Sequence, residues 1–257
     1  MARRLRIEIC GYHHVYNRGV AKNNIFLNNQ DKEKFLQILG DVAKEFKFNI
    51  HSFCLMDNHY HILIENKKEN LSNGMRQLNS KYASYFNRKH DRVGHLWQDR
   101  FKSWFVMSDE YLFTLFKYIE SNPVKAKMTK KIGDYKYSAT YSILNDGVPL
   151  FLKNSFVLRD YNTAELFETL SIPFEEDEMH KIDKFHKIVF KTDKDEIVQT
   201  KRIELKEYFN LIESKSDRNS AIKNAFKDDY SKSEISREIG LSVTGVSNII
   251  KKFKIEG

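Results

Sequence analysis

The chain has 257 residues, 43 Lys and Arg against 35 Asp and Glu, and a hydrophobic share of 41%, ample for a globular core. No apolar run approaches the ~20 residues of a membrane span, and Arg3, Arg4 and Arg6 are not followed by the apolar stretch of a secretory signal. The expectation is a cytoplasmic protein without membrane segments, whose two cysteines, Cys10 and Cys54, form no zinc pattern and stay reduced.

In chain order, a strand is expected near Gly11 to Asn17, followed by a helix near Asp31 to Lys47 with Phe35, Leu36, Leu39, Val42 and Phe46 on its apolar side. Strands near Phe48 to Met56 and His59 to Asn66 come next, then a helix from about Ser72 to Arg88 and a short strand near Phe101 to Met107. A further helix runs through Tyr118, with Asp109 as its N-cap and Leu112, Leu115, Phe116 and Ile119 as the stripe that packs on the sheet. This order predicts an α+β domain with an antiparallel sheet and helices on its faces.

Two segments carry chemistry. In Asp57-Asn58-His59-Tyr60-His61-Ile62-Leu63-Ile64, Tyr60, Ile62 and Ile64 face one side of a strand, while His59, His61, Leu63 and Glu65 face the other. One face is thus apolar and the other presents two imidazoles. In Tyr118-Ile119-Glu120-Ser121-Asn122-Pro123, Tyr118 and Asn122 lie four apart on one helix face, and Pro123 biases Asn122 out of the helical region. Together the segments suggest a metal-assisted tyrosine nucleophile. The alternative is that Tyr118 is one more core aromatic among 13 Tyr and 19 Phe. His13, His14 and His51 are each either a third ligand or a hydrogen-bonded structural residue.

Charge is concentrated near the second segment. From Arg76 to Lys136 there are 13 Lys or Arg against six Asp or Glu, so this stretch holds +7 of the net +8. Its basic residues interleave with Tyr82, Tyr85, Phe86, Trp97, Phe101 and Trp104, the mixture that binds unpaired bases and their backbone. Most of these aromatics are expected in the core, and Trp97, Arg100 and Lys102 are kept as DNA contacts. Arg6, Arg18, Lys81 and Lys125 join that list. The other reading of a basic run is a solvated face.

Residues 146 to 215 read as a helical connector. Beyond it, Ala221, Ile222, Ala225 and Phe226 mark a helix, Ser231 to Glu234 has the form of a capping box opening a second, and Gly240 supplies a turn. Ser242 then caps a third helix. The pattern is a helix-turn-helix over 216–257, with Val243 to Lys252 as the recognition helix and Ser242, Thr244, Ser247 and Asn248 as its polar contacts to duplex DNA. A three-helix dimerisation bundle is the alternative.

Several stretches in fixed order resemble the single-tyrosine transposases of the HUH type (histidine, hydrophobic, histidine), in the branch associated with repetitive extragenic palindromes. They are Leu5-Arg6-Ile7-Glu8, Tyr16-Asn17-Arg18-Gly19, Leu55 to His61, Val93 to Ser103 and Tyr118 to Ala126, within about the first 145 residues. The resemblance implies a ferredoxin-like sheet over 1–145, His59 and His61 as metal ligands, Asn122 completing the site, and Tyr118 as the nucleophile. It also implies cleavage and rejoining of single-stranded DNA beside hairpin-forming palindromes, through a 5′-phosphotyrosine link. Imidazoles with an amide oxygen suit Mg²⁺ or Mn²⁺. Where the family often has a proline before Asn-His this chain has Asp57, which alters a turn unless Asp57 itself reaches the metal. One tyrosine per chain means that two cuts need either a homodimer or sequential turnover. A DNA-binding regulator without catalysis, and a metal-dependent phosphodiesterase that uses water, are the competing functions.

Overall fold

Four antiparallel strands, β1 (Gly11–Arg18), β2 (Phe48–Met56), β3 (His59–Asn66) and β4 (Lys102–Val106), form a sheet in the order β2-β3-β1-β4. Helix α1 (Asn29–Phe46) links β1 to β2, and α2 (Leu71–Lys89) links β3 to β4. The resulting β-α-β-β-α-β order is the ferredoxin-like arrangement expected above. The computed structural model describes residues 8–106, 111–145, 147–174, 182, 189–193, 196–200, 204–210, 214–227, 230 and 232–252. They fall into two compact units, Met1–Asp183 and Lys184–Gly257, taken separately below.

Helix α1 begins at a reciprocal cap. The Asn28 side chain accepts from the Asp31 N–H at 3.2 Å, and Asp31 Oδ2 accepts from the Asn28 N–H at 3.3 Å. Two otherwise orphaned donors are satisfied this way. Asp31 is buried and also bonds Lys89 at 2.8 Å and His90 at 3.0 Å, so the start of α1 is tied to the end of α2. Both helices lie on the face that carries Tyr60, where Phe35 packs on Tyr60 with ring centroids 4.8 Å apart and the Tyr60 hydroxyl donates to Asn79 at 2.9 Å. Met75, Leu78, Tyr82 and Phe86 complete this core. Each fully buried side chain of this size stabilises the fold by about 1.5–3 kcal/mol. Gly74 sits where a Cβ would run into the Phe48 ring, so α2 approaches β2 closely only because that residue lacks a side chain.

The opposite face receives α3 (Leu112–Glu120), whose Leu115, Phe116 and Ile119 have no exposed surface. Glu120 anchors it, accepting from the Ser52 hydroxyl at 2.7 Å and from the Thr140 N–H at 2.9 Å. The expected N-cap, Asp109, lies outside the described residues. Asn122 is not expelled from helical structure as Pro123 suggested: α4 (Asn122–Lys125) follows after one residue, Ser121, whose backbone is itself helical. Proline in the first turn of a helix removes no needed donor.

The stretch expected as a helical connector is more than that. After α5 (Ala139–Leu144), a 3-10 turn at Leu150–Leu152, α6 (Phe156–Asp160) and α7 (Thr163–Ser171) belong to the first unit. Ser155 donates to the His51 carbonyl at 3.0 Å and the Phe156 N–H to His51 Nδ1 at 3.1 Å. Further on, β5 (Val189–Asp193) and β6 (Glu196–Thr200) form an antiparallel hairpin. Val189, Phe190, Thr192, Ile197, Val198 and Thr200 are β-formers, which is why a helix loses here.

In the second unit a 3-10 turn, Leu205–Phe209, precedes α8 (Lys215–Lys227), α9 (Lys232–Ile239) and α10 (Val243–Lys252). Ile222, Ala225, Ile235, Val246 and Ile250 form its core. Gly240 has φ of +66° and makes the turn between α9 and α10, and Ser242 caps α10 by accepting from the Gly245 N–H at 3.0 Å. Ser231, the first residue of the expected capping box, lies outside the described residues. Among the described residues no helix is long and apolar enough to cross a membrane.

Candidate active site

Strand register assembles the site. Across β3 and β1, His61 stands opposite Tyr16, Leu63 opposite His14 and His59 opposite Arg18. Across β1 and β4, His14 stands opposite Trp104 and Tyr16 opposite Lys102. Directly paired residues share a face, so His14, Tyr16, Arg18, His59, His61, Lys102 and Trp104 all lie on the side that α3 covers.

The two imidazoles of His59 and His61 have centroids 5.2 Å apart and planes 84° to one another. This spacing lets two rings reach one ion through metal–nitrogen bonds of about 2.1 Å. Tyr118 comes down from α3 with its ring 6.3 Å from that of His61 and 6.2 Å from that of His14. The nucleophile candidate and His61, 57 residues apart in sequence, therefore meet. Asn122 follows one turn later, its Nδ2 donating to the carbonyls of Tyr118 and Ile119 at 3.0 Å each. That orientation leaves Oδ1 as the end of the amide able to accept a cation. Among the described residues no three His, Cys, Asp or Glu side chains gather as a metal-binding set. Two imidazoles and an amide oxygen are donor types that suit a hard divalent ion with phosphate and water oxygens in its remaining positions.

Electrostatics favour a neutral His59. Burial lowers the His59 imidazole to about 4, and the positive charge of Arg18 pushes the same way while Asp57 opposes it. The ring keeps its lone pair at neutral pH. Burial also pushes the Cys54 thiol, opposite His61 on β2, well up, so it stays a thiol rather than a ligand. Lys125 lies over the Tyr118 ring at 4.4 Å and 5.0 Å from the Phe174 ring, which puts a positive charge beside the phenol.

Other predicted residues are placed less centrally. Asp57 does not reach the histidines: it binds Lys32 Nζ at 2.9 Å, and its carbonyl accepts the Ile25 and Phe26 N–H groups, fixing the turn before β3. His13 is on the opposite face, bonded to the Ile9 carbonyl at 3.0 Å, and His51 holds the N-terminus of α6. Trp97 donates to the Asn79 carbonyl at 2.9 Å and packs on Tyr60 and Tyr82, so it belongs to the α2 side. Lys81, also on α2, is exposed on that side, away from Tyr118. Arg18 donates to Gln98 at 2.6 Å at the rim, Lys102 is exposed on the site face, and Arg100 is exposed in the loop before β4. Arg6 lies outside the described residues. In the second unit Ser242, Thr244 and Asn248 are exposed, and Ser247 accepts from Lys232 at 2.9 Å.

Sequence reasoning missed Tyr16 and Trp104 as site residues. Tyr16 lies 4.9 Å from His61 and 5.5 Å from His59, ring to ring, and Trp104 packs on His14 at 5.2 Å with the planes 30° apart. The usable signal was the alternation Tyr12, His14, Tyr16 along β1, which places polar rings on one face.

Residues 8–122 match the family described as Transposase IS200 like. A solved structure described as a REP-associated tyrosine transposase bound to a REP hairpin is 19% identical, with a TM-score of 0.47, covering 59% of this chain and 90% of its own. A second, described as a transposase from Deinococcus radiodurans R1, is 15% identical with a TM-score of 0.34, covering 47% of this chain and 97% of its own. No curated protein matches.

Proposed function

We propose, from the match of residues 8–122 to the IS200-like transposase family, that this protein cuts and rejoins single-stranded DNA beside hairpin-forming sequences, with Tyr118 as nucleophile. The observation that carries the reading is the approach of the Tyr118 ring to the buried His61 and His14 rings, 6.3 Å and 6.2 Å away, on one face of the sheet.

His59, His61 and Asn122 would hold Mg²⁺ or Mn²⁺. Such an ion polarises phosphoryl oxygens and offsets the charge of the scissile phosphate. Tyr118 supplies the attacking oxygen: a bond forms from its phenolic oxygen to phosphorus as the bond from phosphorus to O3′ breaks. The phenolic proton passes to solvent and the departing 3′ oxygen takes one up. The product is a 5′-phosphotyrosine and a free 3′-hydroxyl, so the phosphodiester energy is retained and a second 3′-hydroxyl can reverse the step. Helix α3 orients the phenol, through the buried Glu120 anchor. Lys125, Arg18 and Lys102 add positive charge where the DNA backbone must lie. The second unit, with a capped α10 and exposed Thr244 and Asn248, supports duplex contact to a hairpin stem.

End-labelled single-stranded hairpin DNA incubated with Mn²⁺ tests this on denaturing gels. A protein-linked product lost in Tyr118→Phe supports the proposal. Cleavage unchanged in that variant favours hydrolysis by water, and binding with no cleavage of any hairpin favours a regulator.

A further inference from the structure

We propose that His14 is a positioning residue for the metal site, accepting a hydrogen bond from Nδ1 of His61 and so holding that ring in the tautomer whose Nε2 can take a cation. The inference rests on the reading of His59 and His61 as ligands. His14 Nε2 lies 2.9 Å from His61 Nδ1, and both rings are buried. A contact of this length between imidazole nitrogens needs one N–H and one lone pair. Were His14 the donor, the single lone pair of His61 would point at His14 and Nε2 would carry the hydrogen, leaving nothing for a metal. With His61 as donor, Nε2 holds the lone pair.

His59 provides the comparison within the same site. Its Nδ1 lies 2.6 Å from Asn58 Oδ1, and Asn58 Nδ2 donates to the Lys22 carbonyl at 3.1 Å, which turns the amide oxygen toward the ring. An amide oxygen only accepts, so His59 is held as the Nδ1–H tautomer. At His61 the same place is filled by a residue able to donate or accept. The His14 ring lies 20° from the plane of His61, as an in-plane N–H···N bond needs, and packs against Trp104 at 30°. Its complete burial keeps water from replacing it as the acceptor. The geometry also argues against His14 as a third ligand, because its Nε2 is directed at Nδ1 of His61, the nitrogen that does not bind the ion.

Isothermal titration of Mn²⁺ into the full chain tests the proposal without reference to activity. Wild type should bind, and His61→Ala should not. His14→Phe keeps an aromatic ring and removes the acceptor, and the Mn²⁺ affinity of the folded variant should fall by about 10–100-fold, with a lower Tm from the buried Nδ1–H left unsatisfied. His14→Gln, which offers an amide oxygen, should recover most of the loss. Wild-type affinity in His14→Phe overturns the role of His14 and leaves the ligand reading intact. Absence of His61-dependent binding in the wild type overturns the ligand reading itself, and this proposal with it. Should His14→Phe fail to fold, ¹⁵N-histidine NMR of the metal-free wild type decides: His61 protonated at Nδ1 is the expected result, and protonation at Nε2 overturns it.

Discussion

The Asn122 side chain donates to the backbone carbonyl of Tyr118 at 3.0 Å, and to that of Ile119 at the same distance. The second bond replaces one that cannot form, since the N–H that would meet the Ile119 carbonyl in a regular helix belongs to Pro123. Asn122→Ala should therefore cost about 1–2 kcal/mol of stability, the range for loss of a hydrogen bond at a poorly solvated carbonyl. Replacing Pro123 by Ala in that background restores an N–H and should recover much of the loss. Urea denaturation of the two single variants and the double variant checks both statements.

His51 makes stability depend on pH. Burial lowers its imidazole from 6.5 to about 4, with Glu65 opposing the shift. Between those values the unfolded chain binds a proton that the folded chain does not, so stability falls as pH drops from about 6.5 toward 4 and is regained as pH rises. The contribution of this residue is at most about 1.4 kcal/mol per pH unit. His51→Gln should flatten the profile in that window when unfolding free energies are measured from pH 7 to pH 4.5.

DNA affinity should respond differently to charged and neutral contacts. Lys102→Ala should weaken binding to a single-stranded flank and reduce the slope of log K against log salt by about 0.7, one counterion's share. Thr244→Ala with Asn248→Ala should weaken binding to the hairpin stem with the slope unchanged, because neither side chain is charged. Fluorescence anisotropy across a salt series separates the two effects.

How much was legible depended on whether a feature was local. The limits of β2 and β3 agree with the sequence reading because alternation and the polar Asp57-Asn58 turn are local signals. The ferredoxin-like order followed from the resemblance. Which residues face the histidines did not, since the pairing of β1 with β3 and β4 is non-local and a shift of one residue would have put His13 in place of His14. Hence the sequence alone does not bring out Tyr16 and Trp104, and it leaves His14 a candidate ligand where the structure sets it 2.9 Å from Nδ1 of His61. Trp97 looked available in sequence, yet its indole N–H caps a backbone carbonyl of α2. The pairing of β5 with β6 is not legible because charged residues interrupt two short runs of β-formers.

The most direct measurement is peptide mapping by mass spectrometry of the covalent complex formed with a hairpin oligonucleotide and Mn²⁺. A nucleotide-bearing peptide with the modification on Tyr118 is the expected result. Modification of Tyr16, the other phenol beside the histidine pair, or of no tyrosine at all, would contradict it.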